Sequence, residues 1–157
     1  MKIRRAAKQD IPALNRLLHQ VLMVHHNGRP DLFKPDCTKY TDAELELLLA
    51  CEERPVFAAF TEDTGRMLGY AFCMLEIYKG NNIQTDRKTL YIDDICVDEQ
   101  ARGQHVGTAL YEHAVAYARQ QGCYNVTLNV WECNPDAMAF YQAVGMKPYK
   151  TSMEMIL

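Results

Sequence analysis

No apolar run in this chain approaches the roughly 18 residues that a membrane-spanning helix needs. Behind Met1-Lys2-Ile3-Arg4-Arg5 there is no apolar stretch of the kind a secretory leader carries, so the N-terminus is read as structure. Basic charge is not in excess either. Lys and Arg number 17 against 20 Asp and Glu, a net charge of −3, which speaks against a nucleic-acid partner. Repeats, low-complexity tracts and linker-like stretches are missing, so residues 1–157 are expected to form one domain. At that length a chain buries about 70% of its unfolded surface, enough for a proper core. The six cysteines show no CxxC and no zinc-ligand spacing, and several sit inside apolar runs. They are expected to be reduced, structural thiols, which favours a cytoplasmic location and no metal.

What the chain does have is an alternation of helical and strand patterns. Lys2 to Ala6 reads as a short strand. Asp10 and Pro12 then open an amphipathic helix whose apolar positions are Ile11, Leu14, Leu18, Val21 and Leu22. His25 to Asp31 breaks that pattern and predicts a loop or an irregular helix end. Thr41-Asp42-Ala43-Glu44 is a capping box ahead of a second helix. Pro55 to Phe60 and Met67 to Ile77 form an expected hairpin about Asp63-Thr64-Gly65-Arg66, and Leu90 to Val97 is a third long strand. A helix from Val106 stops near Gln121-Gly122, and Asn125 to Trp131 alternates as a strand. A short helix follows over Pro135 to Ala143, capped by Asn134, and Met146 to Leu157 is expected to close the chain as a strand.

The stretch between Val97 and Leu110 organises the rest. A strand ends, a polar turn with Arg102 and Gly103 follows, and a helix opens at Val106. Strand, glycine-bearing loop and helix N-terminus together bind anions, because the loop amides point outward at the positive end of the helix dipole. A plain strand-to-helix connection is the bland alternative.

Two motifs carry a resemblance to a known family. Arg102-Gly103-Gln104-His105-Val106-Gly107 matches the glycine signature of the GCN5-related N-acetyltransferases, with His105 where a glycine usually stands. Asn134 to Tyr141, followed by Val144-Gly145-Met146, matches that family's second signature. The order of elements over nearly the whole chain is similar as well. The resemblance implies an α/β fold: a mixed, mostly antiparallel sheet of six to seven strands, splayed after the fourth and flanked by about four helices. Histidine is among the few non-glycine residues enriched at positive φ, so His105 need not break the loop.

The resemblance also implies the ligand. Acetyl-CoA would place its diphosphate on the loop amides of Arg102, Gly103, Gln104, His105, Val106, Gly107 and Thr108. Its pantetheine arm would run along Ile95, Cys96 and Val97, with Asn134 reaching it from the far side. Tyr141 matches the family tyrosine that faces the thioester sulfur, where a neutral phenol can donate a proton; a packed aromatic beside Phe140 is the alternative. Asp93 aligns with an acidic residue of polyamine-acetylating members and is the expected base, because an alkyl amine is protonated at neutral pH and must lose a proton to attack. Successive strand residues face opposite ways, so only one of Asp93 and Asp94 is expected to look into the site. His25, His26, Glu76 and Tyr78 are candidate substrate contacts, and Trp131 is read as core.

The expected function is acetyl transfer from acetyl-CoA to a primary amine of a small molecule by direct attack. A protein or peptide amine is the nearest rival acceptor, and a non-catalytic acyl-CoA sensor is the rival class. Family habit implies a homodimer, with no nucleic-acid or membrane partner.

Overall fold

The computed structural model describes all residues, Met1–Leu157. Five strands form one sheet in the order β1-β2-β3-β4-β5: β1 (Lys2–Arg5), β2 (Val56–Phe60), β3 (Met67–Tyr78), β4 (Arg87–Val97) and β5 (Asn125–Leu128). The first four pair antiparallel, and β5 joins β4 in parallel. The four α-helices are α1 (Ile11–Gly28), α2 (Asp42–Leu49), α3 (Val106–Gln120) and α4 (Pro135–Ala143).

Strand alternation sorts the apolar residues onto two faces. Val56, Ala58, Phe60, Tyr70 and Phe72 pack against Leu14, Leu17 and Leu18 of α1 and Leu45 and Leu48 of α2. Phe57, Ala59, Ala71, Cys73, Leu90 and Ile92 pack against Val106, Leu110, Ala114 and Ala118 of α3. Every residue of β2 is buried, which is why its sequence reads as a continuous apolar run rather than an alternating one. No helix is long and apolar enough to cross a membrane.

Two strand expectations are corrected. Met146–Leu157 forms no strand, so the sheet has five strands and not six to seven. Pro148 cannot donate to a ladder. Beyond it, Glu154 is drawn to the end of α1 by Arg29, at 2.9 Å, rather than along β5. Strand β5 stops at Leu128 and not Trp131: its last pair is Ile92–Leu128, and the next residue of β4, Asp93, is the extra residue of a bulge. The helix ends hold a third correction. His25 and His26 lie in the last turn of α1, which continues to Gly28, and the Arg29 amide caps the His25 carbonyl. Trp131 is 42% exposed and meets Phe33 edge-on, so it is not core. Asp10 takes the position before α1 but does not cap it; its carboxylate instead grips the Arg4 guanidinium at 2.7 and 3.0 Å.

Candidate active site

The loop after β4 has the geometry its composition suggested. Asp98 is buried, pairs with Arg16 of α1 at 2.7 Å and accepts from the Gln100 amide, anchoring the turn at Glu99–Ala101. Gly103 has φ +75° and His105 φ +58°, so the histidine does adopt the left-handed conformation. No backbone acceptor in the chain takes the amides of Gly103, Gln104, His105, Val106, Gly107 or Thr108. They open at the N-terminus of a 15-residue helix, with the exposed Arg102 beside them. The His105 side chain makes no capping bond. Such a row of free amides at a positive dipole end fits a diphosphate.

A Cβ at Gly107 would sit in ordinary contact with the ring of Phe140 at 3.4 Å and with Val97 at 3.5 Å, so α4 packs against the first turn of α3 at this point. The two sequence signatures therefore touch. Asn134 Oδ1 caps α4 by accepting from the Ala137 amide at 3.2 Å. Its side-chain NH₂ stays unpaired and can donate elsewhere.

The end of β4 has one unpaired edge. Ile95, Cys96 and Val97 pair with Ala71, Tyr70 and Gly69 on one edge. The ladder to β5 ends at Ile92, leaving their other edge open. A backbone-lined edge of this kind accepts an amide-bearing arm as an added strand does.

A β-bulge precedes that edge. Phe72 pairs with Asp94 and Cys73 with Ile92, so Asp93 is the extra residue in β4. Ile92 and Ile95 both pack toward α3. Asp94 accepts a 2.8 Å hydrogen bond from the Tyr70 hydroxyl, and Asp93 a 2.9 Å bond from the Lys39 ammonium, both on the α1 side. The strict alternation behind the expectation that only one carboxylate faces the site is therefore interrupted here. A bulge suspends alternation for one residue, and a single sequence carries no pairing partner to reveal it.

Burial pushes the Asp94 carboxyl up to about 6, against the pull of Lys39 and the Tyr70 hydroxyl and with a further push from Asp93. Burial alone would lower the Lys39 ammonium, but Asp94 and Asp93 outweigh it and hold it above its ordinary value. Tyr141, five ångströms from Phe140 by ring centroids (5.1 Å), is raised well above the usual phenol range by burial and then by Asp94. It is a neutral hydroxyl with no hydrogen bond in the chain to occupy it. Asp94 thus bonds the Tyr70 hydroxyl directly and acts through its charge on both Lys39 and Tyr141.

The remaining candidates spread along the same sheet face. Glu76 accepts from the Tyr78 hydroxyl at 2.6 Å, and both line a cavity of about 710 Å³ with Arg87, Tyr91, Asn129 and Tyr149. Tyr91 feels the charges of both Asp93 and Glu76, which links that cavity to the bulge. His25 stacks on Phe33, 5.0 Å between centroids, while His26 Nδ1 bonds the Phe33 carbonyl at 2.7 Å. Both histidines thus brace the segment after α1. Burial, then Lys39, pulls the His25 imidazole below its ordinary value. No group of three or more His, Cys, Asp or Glu side chains is placed to hold a metal.

Three residues of this cluster escaped sequence reading: Lys39, Asp94 as a site residue, and Tyr70. Lys39 stands in a segment without helix or strand, so nothing in its neighbours signals where it points. Tyr70 sits in a strand among apolar residues and reads as core, which its ring is.

The chain resembles proteins of known name. A model of the acetyltransferase (GNAT) family matches residues 22–146. N-alpha-acetyltransferase 30 of Schizosaccharomyces pombe is 25% identical over 96 residues, covering 61% of each chain. Glucosamine 6-phosphate N-acetyltransferase of Trypanosoma brucei brucei is 29% identical over 96 residues, again 61% of each. The bovine thialysine N-epsilon-acetyltransferase is 31% identical over 77 residues, 49% of this chain and 41% of that one. The matched stretch thus spans less than two thirds of these curated relatives. Among solved structures, a point mutant of the BH1408 protein from Bacillus halodurans superposes with a TM-score of 0.95 at 30% identity, covering 100% of this chain and 99% of that one. With the matching family model spanning most of its length, the fold and both motifs in place, this chain belongs to the GNAT family of acetyltransferases.

Proposed function

We propose that the protein transfers an acetyl group from acetyl-CoA to a primary amine of a small molecule, by direct attack within a ternary complex. The observation that carries this reading is the row of free amides at the start of α3 beside the unpaired edge of β4 that follows the Asp93 bulge. With them stands Tyr141, an unengaged phenol that feels the charge of Asp94. The amides of Gly103 to Thr108 hold the diphosphate, with Arg102 adding charge. The free edge of Ile95 to Val97 and the Asn134 NH₂ align the arm. Bound there, acetyl-CoA supplies the activated acyl carbon.

The amine is received on the bulge. Asp93, an exposed carboxylate already matched to one ammonium, anchors the acceptor's charge. Asp94, with its carboxyl near 6, takes the proton, since a base works best with a pKa close to the operating pH. That moves the base from Asp93, where the sequence suggested it, to its neighbour. Tyr141 donates to the departing sulfur, whose thiol has a pKa near that of cysteine, about 8.5. Glu76, Tyr78 and Tyr91 line the space for the rest of the acceptor. Relatives named for glucosamine 6-phosphate and thialysine support a small amine. The test is CoA release across an amine panel, with calorimetry of acetyl-CoA binding. Release with one or more small amines supports the enzyme. Tight binding with no release on any amine supports a sensor instead.

A further inference from the structure

The bulge on which the proposed acceptor amine is received carries an amine of the chain's own, Lys39. Lys39 Nζ lies 2.9 Å from Asp93 Oδ2 and within the field of Asp94, the carboxylate that also acts on Tyr141. A primary alkylammonium held on the bulge by a carboxylate is what the proposed reaction requires of its acceptor. Other lysines are placed elsewhere: Lys8 pairs with Glu46, and Lys88 donates to the Gln121 carbonyl. Lys39 stands in the segment joining α1 to α2, which has neither helix nor strand to fix it, and its side chain keeps 38% of its surface exposed.

We propose that Lys39 is a modification site, acetylated by the protein itself when acetyl-CoA is bound and no free amine competes. The inference rests on the acetyltransferase reading above. One proton of the ammonium passes to Asp94 and on to solvent. The Nζ lone pair attacks the thioester carbonyl, the C–N bond forms, and the C–S bond breaks with its electron pair going to sulfur. The second proton ends on that sulfur, by way of Tyr141. Lysine ammonium and acetyl-CoA become Nε-acetyl-lysine, CoA thiol and one proton. No oxidant, reductant or metal is needed.

The modification changes the site. Acetyl-Lys39 carries no charge and cannot pair with Asp93. Asp93 and Asp94 are then left without their internal counter-ion, and an external cationic amine no longer competes with a tethered one.

The experiment incubates the full chain with acetyl-CoA and no amine, then measures acetyl occupancy at each lysine by peptide mass spectrometry over time. Lys39 should gain its acetyl group at least about tenfold faster than the exposed Lys147 and Lys150, because the reacting groups are held together. Asp94→Asn and Tyr141→Phe should slow Lys39 and leave Lys147 unchanged, while Lys39→Arg should remove the fast site and keep the fold. Lys39 reacting no faster than Lys147, or equally fast in Asp94→Asn, overturns the proposal. A second reading needs no acetyl-CoA. The purified acetyl-Lys39 protein should bind 1,4-diaminobutane about tenfold tighter in calorimetry than unmodified protein, a gain within what one removed ion-pair competitor can give; equal affinity contradicts the changed site. CoA release with free amines is run in parallel. Amines acetylated while Lys39 stays bare sinks this inference alone, and failure to bind acetyl-CoA sinks both it and the acetyltransferase reading.

Discussion

Asp93 and Asp94 are sequence neighbours whose carboxylates emerge on one face of the sheet, the first bonded to Lys39 at 2.9 Å and the second to the Tyr70 hydroxyl at 2.8 Å. The bulge that puts them there also ends the ladder to β5. One irregularity thus makes both the acid pair and the open edge beside it.

The rate kcat/KM for a small amine should rise with pH through about 6, the value to which burial pushes Asp94. Asp94→Asn should lower kcat by about 10²-fold or more, the scale of a lost general base, and abolish that acidic limb. Asp93→Asn should keep the limb and raise KM, because it removes an anchor rather than the base. A limb that survives in Asp94→Asn returns the base role to Asp93.

The same carboxylate predicts a stability effect of definite sign. A carboxyl raised from 3.8 to about 6 favours the protonated form in the folded state, so folding loses stability as pH rises from about 4 to 6 and does not regain it above. Two pKa units correspond to about 3 kcal/mol as an upper bound. Asp94→Asn should therefore raise Tm at pH 8 by several degrees and have little effect at pH 4, checked by thermal melts at both.

Tyr141→Phe should cut kcat by about 10²-fold and leave acetyl-CoA affinity nearly unchanged, since the hydroxyl is engaged by no partner in the chain. Steady-state rates and calorimetry on one preparation separate the two quantities.

The proposed diphosphate site is built of backbone amides, and the His105 side chain makes no capping bond. His105→Gly should keep acetyl-CoA affinity within about threefold, because glycine reaches φ +58° at no steric cost. His105→Val should weaken it by about tenfold, since a β-branched residue resists the left-handed region. A large loss in His105→Gly would show that the imidazole itself touches the ligand.

Asp98→Ala should destabilise the fold by about 1–2 kcal/mol, as it removes a buried carboxylate that bonds the half-exposed Arg16 and the amide of the turn before the loop. Urea melts measure the loss. Acetyl-CoA affinity should fall as well, because this turn sets the loop.

Much of this was legible before any coordinates. Helical spacing located α1 and α3, the Thr41 capping box fixed the start of α2 with both reciprocal bonds present, and Gly122 and Gly145 stop their helices at positive φ. These features are local, so local sequence carries them. Pairing is not local. The bulge at Asp93, the early end of β5 and the absence of a sixth strand depend on which edge meets which, and apolar alternation in Met153 and Met155 could not say that Arg29 would draw Glu154 aside. Lys39 was missed for the same reason: its partner lies 54 positions away in sequence.

The account stands most directly on a product measurement. Isotopically labelled acetyl-CoA is supplied with a panel of primary amines, and acetylated products are identified by mass. The prediction is a small-molecule N-acetyl product formed together with CoA, at a rate that falls by about two orders of magnitude in both Tyr141→Phe and Asp94→Asn. Acetyl-CoA bound by the wild-type chain, with label appearing in no amine on the panel, would contradict it.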